Sequence, residues 1–258
     1  MNIVKKQLIP TVATLFLLAG CAGASAAAST AAGHGASPAT VVAAHRAATP
    51  ANPDGTPAGA LPFPVGKGYT WVYRDTNSAG GSTSTNTMTQ KITSLESTSG
   101  GLRVSEYMTM SSDSKFDGSV VWIFHPNGTI TYPLGASLGG IQVTHSTGGI
   151  IFPTAAEAAS GQPVHSTITM TAITDGQTIT EVAHITVQGD GRQTVTVPAG
   201  TFKNATVLKM TMDATVDKIS LDFTFKYWVA VGTGEVKSEG FYGGSTPNET
   251  GVLVSFTK

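Results

Sequence analysis

The 258-residue sequence contains a single cysteine, few charged residues and no apolar run long enough to cross a membrane as a stop-transfer helix. Because a disulfide needs two cysteines, Cys21 forms none within this chain. Charged residues make up 12% of the sequence and the net charge is −1, whereas about 25% is usual. A nucleic-acid-binding domain presents a basic face, so this charge balance excludes that class.

The N-terminal residues have the pattern of an export signal. Lys5 and Lys6 precede the apolar stretch Leu8–Leu18, and the sequence Leu-Ala-Gly-Cys that ends at Cys21 resembles a bacterial lipobox. The resemblance implies that residues 1–20 are a lipoprotein signal peptide and that the Cys21 thiol carries a lipid. We therefore expect an extracytoplasmic protein that is attached to a bacterial membrane through Cys21. The alternative is a plain secretory signal that happens to contain a cysteine.

Residues 21–60 contain mainly Ala, Ser, Thr, Gly and Pro. Such a segment buries too little apolar surface to offset its ordering entropy, so it is predicted to be a flexible tether. Treated as a random coil, the part after Cys21 reaches roughly 35 Å. The remaining residues, 61–258, are long enough for a single domain with one core.

The dominant pattern in residues 61–258 is an alternation of period two, which is typical of strands with one buried face. In Leu102–Met110 the apolar side chains alternate with polar ones, except that Glu106 lies on the otherwise apolar side. Similar runs are Tyr69–Arg74, Met88–Leu95, Val120–His125, Val164–Ile173, Thr178–Gln188, Leu221–Ala230 and Val252–Thr257. The predicted fold is mostly β, a strongly curved antiparallel sheet that forms a half-barrel or open barrel from two meanders.

Short glycine-containing segments between these runs predict turns. They are Ala79-Gly80-Gly81, Ser99-Gly100-Gly101, Pro126-Asn127-Gly128, Thr174-Asp175-Gly176 and Gly189-Asp190-Gly191. Only Pro153–Gly161 predicts a helix, with Pro at its start and Gly just past its end.

The domain shows a weak internal similarity. The segment that starts at Val104 can be laid over the one that starts at Val207, since each has a Met-x-Met strand, an acidic turn and an aromatic strand. One interpretation is an internal duplication of about 65–135 and 162–257. The other is that unrelated hairpins look alike.

Two motifs in the second half resemble signatures of exported bacterial proteins. They are Val-Pro-Ala-Gly-Thr-Phe (Val197–Phe202) and the segment Tyr227–Lys237, with a weaker match at Tyr69–Tyr73. These exported proteins are similar to the LolA/LolB-like lipoprotein superfamily, whose fold is an open curved sheet wrapped around a helical plug. The resemblance implies a carrier of lipid or another amphipathic molecule. Pro198 and Gly200 by themselves predict a reversal between two strands.

The segment Gly135–Gly139 matches the G-x-S-x-G nucleophile elbow, with Ser137 as the nucleophile. That motif needs a helix directly after it, but the following residues are glycine-rich and β-branched. His145 or His184, with Asp175 or Asp190, would be the other catalytic groups. A serine hydrolase is therefore a remote alternative, and we expect no enzymatic activity.

Four histidines, His125, His145, His165 and His184, recur at steps of about twenty residues. Neighbouring strands could align them as metal ligands, but the domain has no H-x-H or H-x-x-x-H pair. We therefore expect histidines that are exposed or hydrogen-bonded, with no metal and no cofactor.

Methionine and aromatic side chains define the predicted ligand site. The flexible thioethers of two Met-x-Met strands and a neighbouring aromatic strand would suit acyl chains on the concave face of the sheet. The predicted residues are Met108, Met110, Met210, Met212, Phe223, Phe225 and Tyr227. The alternative is that they fill an ordinary core, in a structural or protein-interaction module whose partner the sequence does not identify.

Overall fold

The structure is a computed structural model that describes residues 56–79, 81–112, 117–133, 142–174, 177–216 and 219–258. Within these ranges the chain forms thirteen strands and one short helix, α1 (Ala155–Ser160). The strands are β1 (Thr70–Ala79), β2 (Ser82–Thr98), β3 (Gly101–Met110), β4 (Gly118–Phe124), β5 (Ile130–Tyr132), β6 (Gln142–Gly148), β7 (Ile150–Phe152), β8 (Val164–Thr174), β9 (Gln177–Val197), β10 (Gly200–Val216), β11 (Ile219–Ala230), β12 (Gly234–Phe241) and β13 (Glu249–Thr257).

All thirteen described strands belong to one antiparallel sheet in the order β6-β8-β9-β10-β11-β12-β13-β1-β2-β3-β4-β5-β7. The strands β1–β5 form one meander and β8–β13 form another. The meanders are joined where β1 pairs with β13, for example Tyr73 opposite Leu253. The prediction of a strongly curved antiparallel sheet built from two meanders is confirmed.

The two outermost strands of this order, β6 and β7, are separated in sequence only by Gly149. The segment 142–152 therefore pairs with β8 through its first part and with β5 through its second part. In this way it brings the two edges of the sheet together, and the sheet is nearly closed into a barrel.

Glycines occupy the point where the segment crosses from one edge to the other. A Cβ atom on Gly148, whose φ is +85°, would collide with the carbonyl oxygen of Thr167. A Cβ on Gly149 would lie 2.9 Å from the carbonyl oxygen of Tyr132. Both positions need glycine because the backbone of the crossing segment lies too close to β8 and to β5 for a side chain.

The predicted helix is confirmed as α1. Thr154 is its N-cap and forms a capping box with Glu157, and Gly161 ends the helix in the left-handed conformation with φ 71°. Ala158 is buried against β9. There, a Cβ on Gly189 would collide with the carbonyl oxygen of Ala158.

The turn predicted at Gly189-Asp190-Gly191 is wrong, because these residues lie inside the continuous strand β9. Glycine is required at these two positions for other reasons. Gly189 lets α1 approach the sheet, and Gly191 takes a φ of +85° next to an irregularity in the pairing of β9 with β10. The turns at Ser99-Gly100 and Pro126-Asn127-Gly128 are confirmed.

The Val197–Phe202 motif forms the tip of the β9–β10 hairpin, so the predicted strand reversal is confirmed. The backbone N–H of Ala199 donates to the carbonyl oxygen of Leu253 in β13 at 3.1 Å. The tip therefore contacts β13, which is not a neighbour of β9 or β10 in the sheet.

One large apolar core fills the inside of the sheet and joins both meanders. No helix in the described ranges is long and apolar enough to cross a membrane. The predicted signal peptide, Cys21, most of the tether, Ser137 and Asp175 lie outside the described residues.

Candidate functional site

The residues predicted to line a ligand site are placed in the core. Six of the seven are buried, with Met108, Met210 and Met212 at 0% exposure, and Met110 packs partly buried against the same cluster. None of the seven lines either of the two cavities described below. The structure brings these side chains together in one packed core.

The four predicted histidines are spread over the sheet, and three of them have hydrogen-bond partners on neighbouring strands or turns. His165 lies 2.9 Å from the hydroxyl of Thr186, and His184 lies 3.2 Å from the hydroxyl of Thr167. His125 contacts Thr131 at 2.8 Å. In the part of the chain that the structure describes, no group of three or more His, Cys, Asp or Glu side chains could hold a metal ion.

The inside of the barrel also contains acidic residues. The pairing of β12, β13, β1, β2 and β3 places four carboxyl groups on the inner face, among Met and aromatic side chains. We call them the inner carboxyl cluster: Asp75, Glu106, Glu235 and Glu249. The register puts Asp75 opposite Gly251, and a Cβ on Gly251 would lie 2.8 Å from Asp75 Oδ1. Glycine at that position makes room for the carboxyl group.

Aromatic side chains hydrogen-bond two members of the cluster. Trp122 Nε1 donates to Glu106 Oε2 at 3.0 Å, and the Tyr242 hydroxyl donates to Glu249 Oε2 at 2.8 Å. The Ser238 side chain lowers the pKa of Glu235. Nevertheless Glu235 Oε1 is shielded from solvent and has no hydrogen-bond partner among the described residues.

Burial dominates the protonation of the cluster. Desolvation raises the pKa of Asp75 to about 7 and that of Glu235 to about 8. It also raises the pKa of Glu106 and of Glu249 to about 7, against their hydrogen bonds, which lower it. The negative charges of Asp75, Glu249 and Glu106 further raise the pKa of Glu235. No Lys or Arg within the described ranges is among the groups that shift these four values.

A small cavity lies beside this cluster. Its volume is about 40 Å³, which is room for roughly three water molecules. Glu106, Glu235 and Gln90 supply its polar lining, and Trp71 and Trp122 are among its aromatic walls. We call it the inner cavity.

A second, larger cavity is a half-open cleft of about 1130 Å³ at the end of the barrel where α1 packs. We call it the mouth cleft. Its lining consists of Ala60, Leu61, Pro62, Tyr69, Ala155, Ala158, Ala159, Gly191, Arg192, Lys203, Asn204, Thr206, Val231, Gly232 and Lys258.

The mouth cleft combines an apolar wall with positive charge. Leu61 and the alanines of α1 form apolar lining, and the charged side chains among the described lining residues are those of Arg192, Lys203 and Lys258. Val231, in the turn between β11 and β12, has 83% of its surface exposed on the same lining. This arrangement suits a molecule with an apolar body and an anionic head group.

Only part of these features was visible in the sequence. Glu106 interrupts the apolar alternation of β3, which was a signal for a buried acid. Asp75 follows Trp71 and Tyr73 at the same spacing of two and so shares their inward face, but the predicted strand stopped at Arg74. Nothing local in the sequence marks Glu235 or Glu249 as inward-facing.

Comparisons with known proteins identify the family and the fold. A family model described as DUF3108-like matches residues 124–257, just over half of the chain. An exported protein of Bacteroides fragilis with a YmcC-like fold is 18% identical, with a TM-score of 0.56 over 77% of this chain and 100% of its own. A protein of Parabacteroides distasonis, described as a lipoprotein, is 15% identical, with a TM-score of 0.57 over 77% of this chain and 99% of its own. No curated protein matches this chain. At these identities the two structures establish a shared fold.

Proposed function

Since the chain belongs to the DUF3108-like family, we propose that it is a non-enzymatic lipoprotein of the bacterial cell envelope that holds an anionic amphipathic molecule in the mouth cleft. The observation that carries this proposal is the pairing of an apolar wall with three cationic side chains in one half-open cleft. The lipobox-like sequence at Cys21 supports the envelope location, as do the descriptions of the two structural relatives as an exported protein and a lipoprotein.

The size and lining of the mouth cleft support an amphipathic ligand. Its volume of about 1130 Å³ is slightly above the range of about 300–1,000 Å³ that is usual for ligand pockets. An acyl chain against Ala155, Ala159 and Val231, which are exposed on this lining, would gain about 25 cal/mol per Å² of buried apolar surface, before the costs of binding. Lys203, Lys258 and Arg192 would then neutralise the head group.

The position of the cleft fits a protein tethered to a membrane. Ala60, Leu61 and Pro62 line it, and they directly follow the predicted tether from Cys21. The exposed Val231 and the basic side chains would therefore lie on the end of the barrel that the tether reaches. A ligand that leaves an anionic bilayer would meet this end first, because positive side chains concentrate near such a surface.

The proposed ligand lies in the mouth cleft and not on the Met-rich face that the sequence predicted. The proposal keeps the lipid-carrier role that the LolA/LolB-like resemblance implies, but it does not need Met210 or Phe225 to be accessible. The buried packing of Met108, Met210 and Met212 favours a second candidate, a structural or protein-interaction module with a filled core and no ligand.

The test is a binding measurement with two amphiphiles that differ only in head-group charge. The full-length chain carrying Cys21→Ser, which removes its own acyl chains, would be purified in detergent and titrated with lysophosphatidylglycerol or lysophosphatidylcholine. Bound ligand would be counted by native mass spectrometry. We expect the anionic amphiphile to bind at least tenfold more tightly and to lose this preference in the Lys203→Glu/Lys258→Glu variant.

The matched control is Arg103→Glu, which reverses an exposed charge on β3 away from the cleft lining. It should bind like the parent protein. Equal binding of both amphiphiles would contradict the role given to the basic side chains, and no binding of either would favour the filled-core module. Loss of binding in Met210→Lys with retained fold, but not in the cleft variant, would place the ligand on the Met-rich face instead.

A further inference from the structure

The inner cavity has the composition of a cation site but contains no cationic side chain among its described lining residues. Glu106 and Glu235 both line it, and they come from β3 and β12, in different meanders. Glu235 Oε1 is shielded from solvent and unpartnered within the described ranges. Leaving a buried carboxyl oxygen without a hydrogen-bond donor costs free energy. A ligand that donates a hydrogen bond to this atom would remove that cost.

The surroundings of this atom are negative. Asp75 on β1 and Glu249 on β13 face the same interior, and each raises the pKa of Glu235 through its charge. Glu106 on β3 does the same. The other titratable group of the cavity lining is the Tyr73 phenol, which donates to the Glu235 backbone carbonyl at 3.1 Å. A positive charge brought into the cavity would be attracted by up to four carboxylates at once.

Aromatic rings form the remaining walls. Trp71, Trp122 and Phe63 line the cavity, and Trp122 already donates its indole N–H to Glu106. The faces of such rings attract cations that lie within about 6 Å. The volume of about 40 Å³ admits only a few non-hydrogen atoms, so a quaternary ammonium group would not fit.

We propose that the inner cavity binds a small protonated primary amine, whose ammonium group donates to the carboxyl groups of Glu235 and Glu106 against the Trp122 ring. An ammonium group supplies three donors, so it can donate at once to the unpartnered Glu235 Oε1 and to the Glu106 carboxyl group on the same lining. This site is separate from the mouth cleft, since the two share no lining residue, and it does not depend on the proposed amphiphile.

Binding should have a pH optimum above neutrality. The carboxyl groups must be ionised, and burial raises the pKa of Glu106 to about 7 and that of Glu235 to about 8. The amine must stay protonated, which holds below about pH 10.4 for an alkylamine such as lysine. The tightest binding is therefore expected between about pH 8 and pH 10.

The experiment uses the full-length protein in detergent and methylammonium as the probe. Saturation-transfer NMR of its methyl group at pH 9 would report binding, with an expected Kd on the order of 10 mM for a ligand of two non-hydrogen atoms. At pH 5.5 the affinity should fall at least tenfold. Methanol, which is neutral, and tetramethylammonium, which is too large, should give no saturable signal.

Variants locate the site. Glu235→Gln should weaken methylammonium at least tenfold, and Glu106→Gln provides a second test if the first variant does not fold. The control is Glu239→Gln on the same strand, where Glu239 pairs with Lys237 at 2.6 Å; this variant should bind normally. The proposal is overturned if the wild-type protein shows no saturable signal at pH 9. It is equally overturned if tetramethylammonium binds as well, or if a folded Glu235→Gln protein keeps its affinity.

Discussion

Trp122 on β4 hydrogen-bonds Glu106 at a diagonal position of the neighbouring strand β3. In the register of β3 and β4, Trp122 lies opposite Val104 and Glu106 lies opposite Val120, yet the indole Nε1 is 3.0 Å from Glu106 Oε2. Such diagonal pairs are within reach of aromatic side chains on one face of a sheet. The contact gives the buried carboxyl group a donor and lowers its pKa against the larger effect of burial.

The first prediction concerns this hydrogen bond. Trp122→Phe keeps most of the ring packing but removes the donor, so it should lower the free energy of unfolding by about 1–3 kcal/mol at pH 9, where Glu106 is charged. At pH 5 the carboxyl group is protonated and the loss should be smaller. Urea unfolding at both pH values checks this. An equal loss at both would mean that ring packing, not the hydrogen bond, is what the substitution removes.

The second prediction is that the protein becomes less stable as the pH rises from about 5 to about 9. Burial raises the pKa of Glu235 and of Glu181 from 4.5 to about 8. A carboxyl group whose folded-state pKa lies above its unfolded value stabilises the fold fully below the unfolded value, and this contribution is lost as the pH rises through the folded value. Thermal unfolding across this range should therefore show a falling Tm.

Glu181 offers a matched pair for that measurement. It is buried in β9, and its Oε1 has no hydrogen-bond partner in the described ranges. Glu181→Gln should flatten the fall in Tm between about pH 5 and pH 8, whereas Glu96→Gln, at an exposed position of β2, should leave the profile unchanged. A Tm that rises with pH in the wild-type protein would contradict the raised pKa values.

The third prediction concerns the closure of the sheet. Gly148→Ala would force a Cβ into the carbonyl oxygen of Thr167 at a φ of +85°, so we expect a loss of about 1–3 kcal/mol or more. Hydrogen exchange should rise first in β6 and β7. Gly244→Ala is the control, since no atom lies within 4 Å of its Cβ position and its φ is not positive. Equal stability of the two variants would show that the crossing can relax to admit a methyl group.

The fourth prediction concerns the outer surface. The Lys237 ammonium lies 4.5 Å from the centre of the Trp228 ring, and the Trp228 indole donates to Gln193 at 3.0 Å. Lys237→Ala should lower the free energy of unfolding by about 0.5–2 kcal/mol, whereas Lys237→Arg should restore most of it because a guanidinium also packs on an indole. Urea titration with Trp fluorescence measures both. Failure of arginine to restore stability would argue that the ion pair with Glu239 carries the effect.

The period-two pattern predicted the β fold, because the alternation of apolar and polar residues within one strand shows which of its faces is buried. Closure of the sheet was harder to predict. It depends on Gly148 and Gly149, which resemble any glycine pair in a loop until β5 and β8 are known to flank them. Gly189 was misjudged for the same reason, since a glycine that admits a helix and a glycine in a turn look alike in sequence.

The candidate functional residues divide in the same way, into those that a local pattern reveals and those that only strand pairing brings together. Glu106 was visible because it breaks the alternation within one strand. The cluster that it joins was not, because Asp75, Glu235 and Glu249 meet only through the pairing of β1 with β13 and of β13 with β12. Neither segment alone determines the register in which two distant strands pair. The mouth cleft likewise requires α1 to dock on β9.

The pairing of the first strand with the last also constrains the order of assembly. β1 lies between β2 and β13, so one of its edges has no strand to bond until the final residues of the chain arrive. Pairing over such a long sequence separation is slow, because the loop-closure entropy is lost before any contact forms. A chain that emerges N-terminus first would therefore expose an unpaired hydrophobic edge until its last strand is delivered. The interval before β13 pairs with β1 is thus when this protein most needs protection from aggregation.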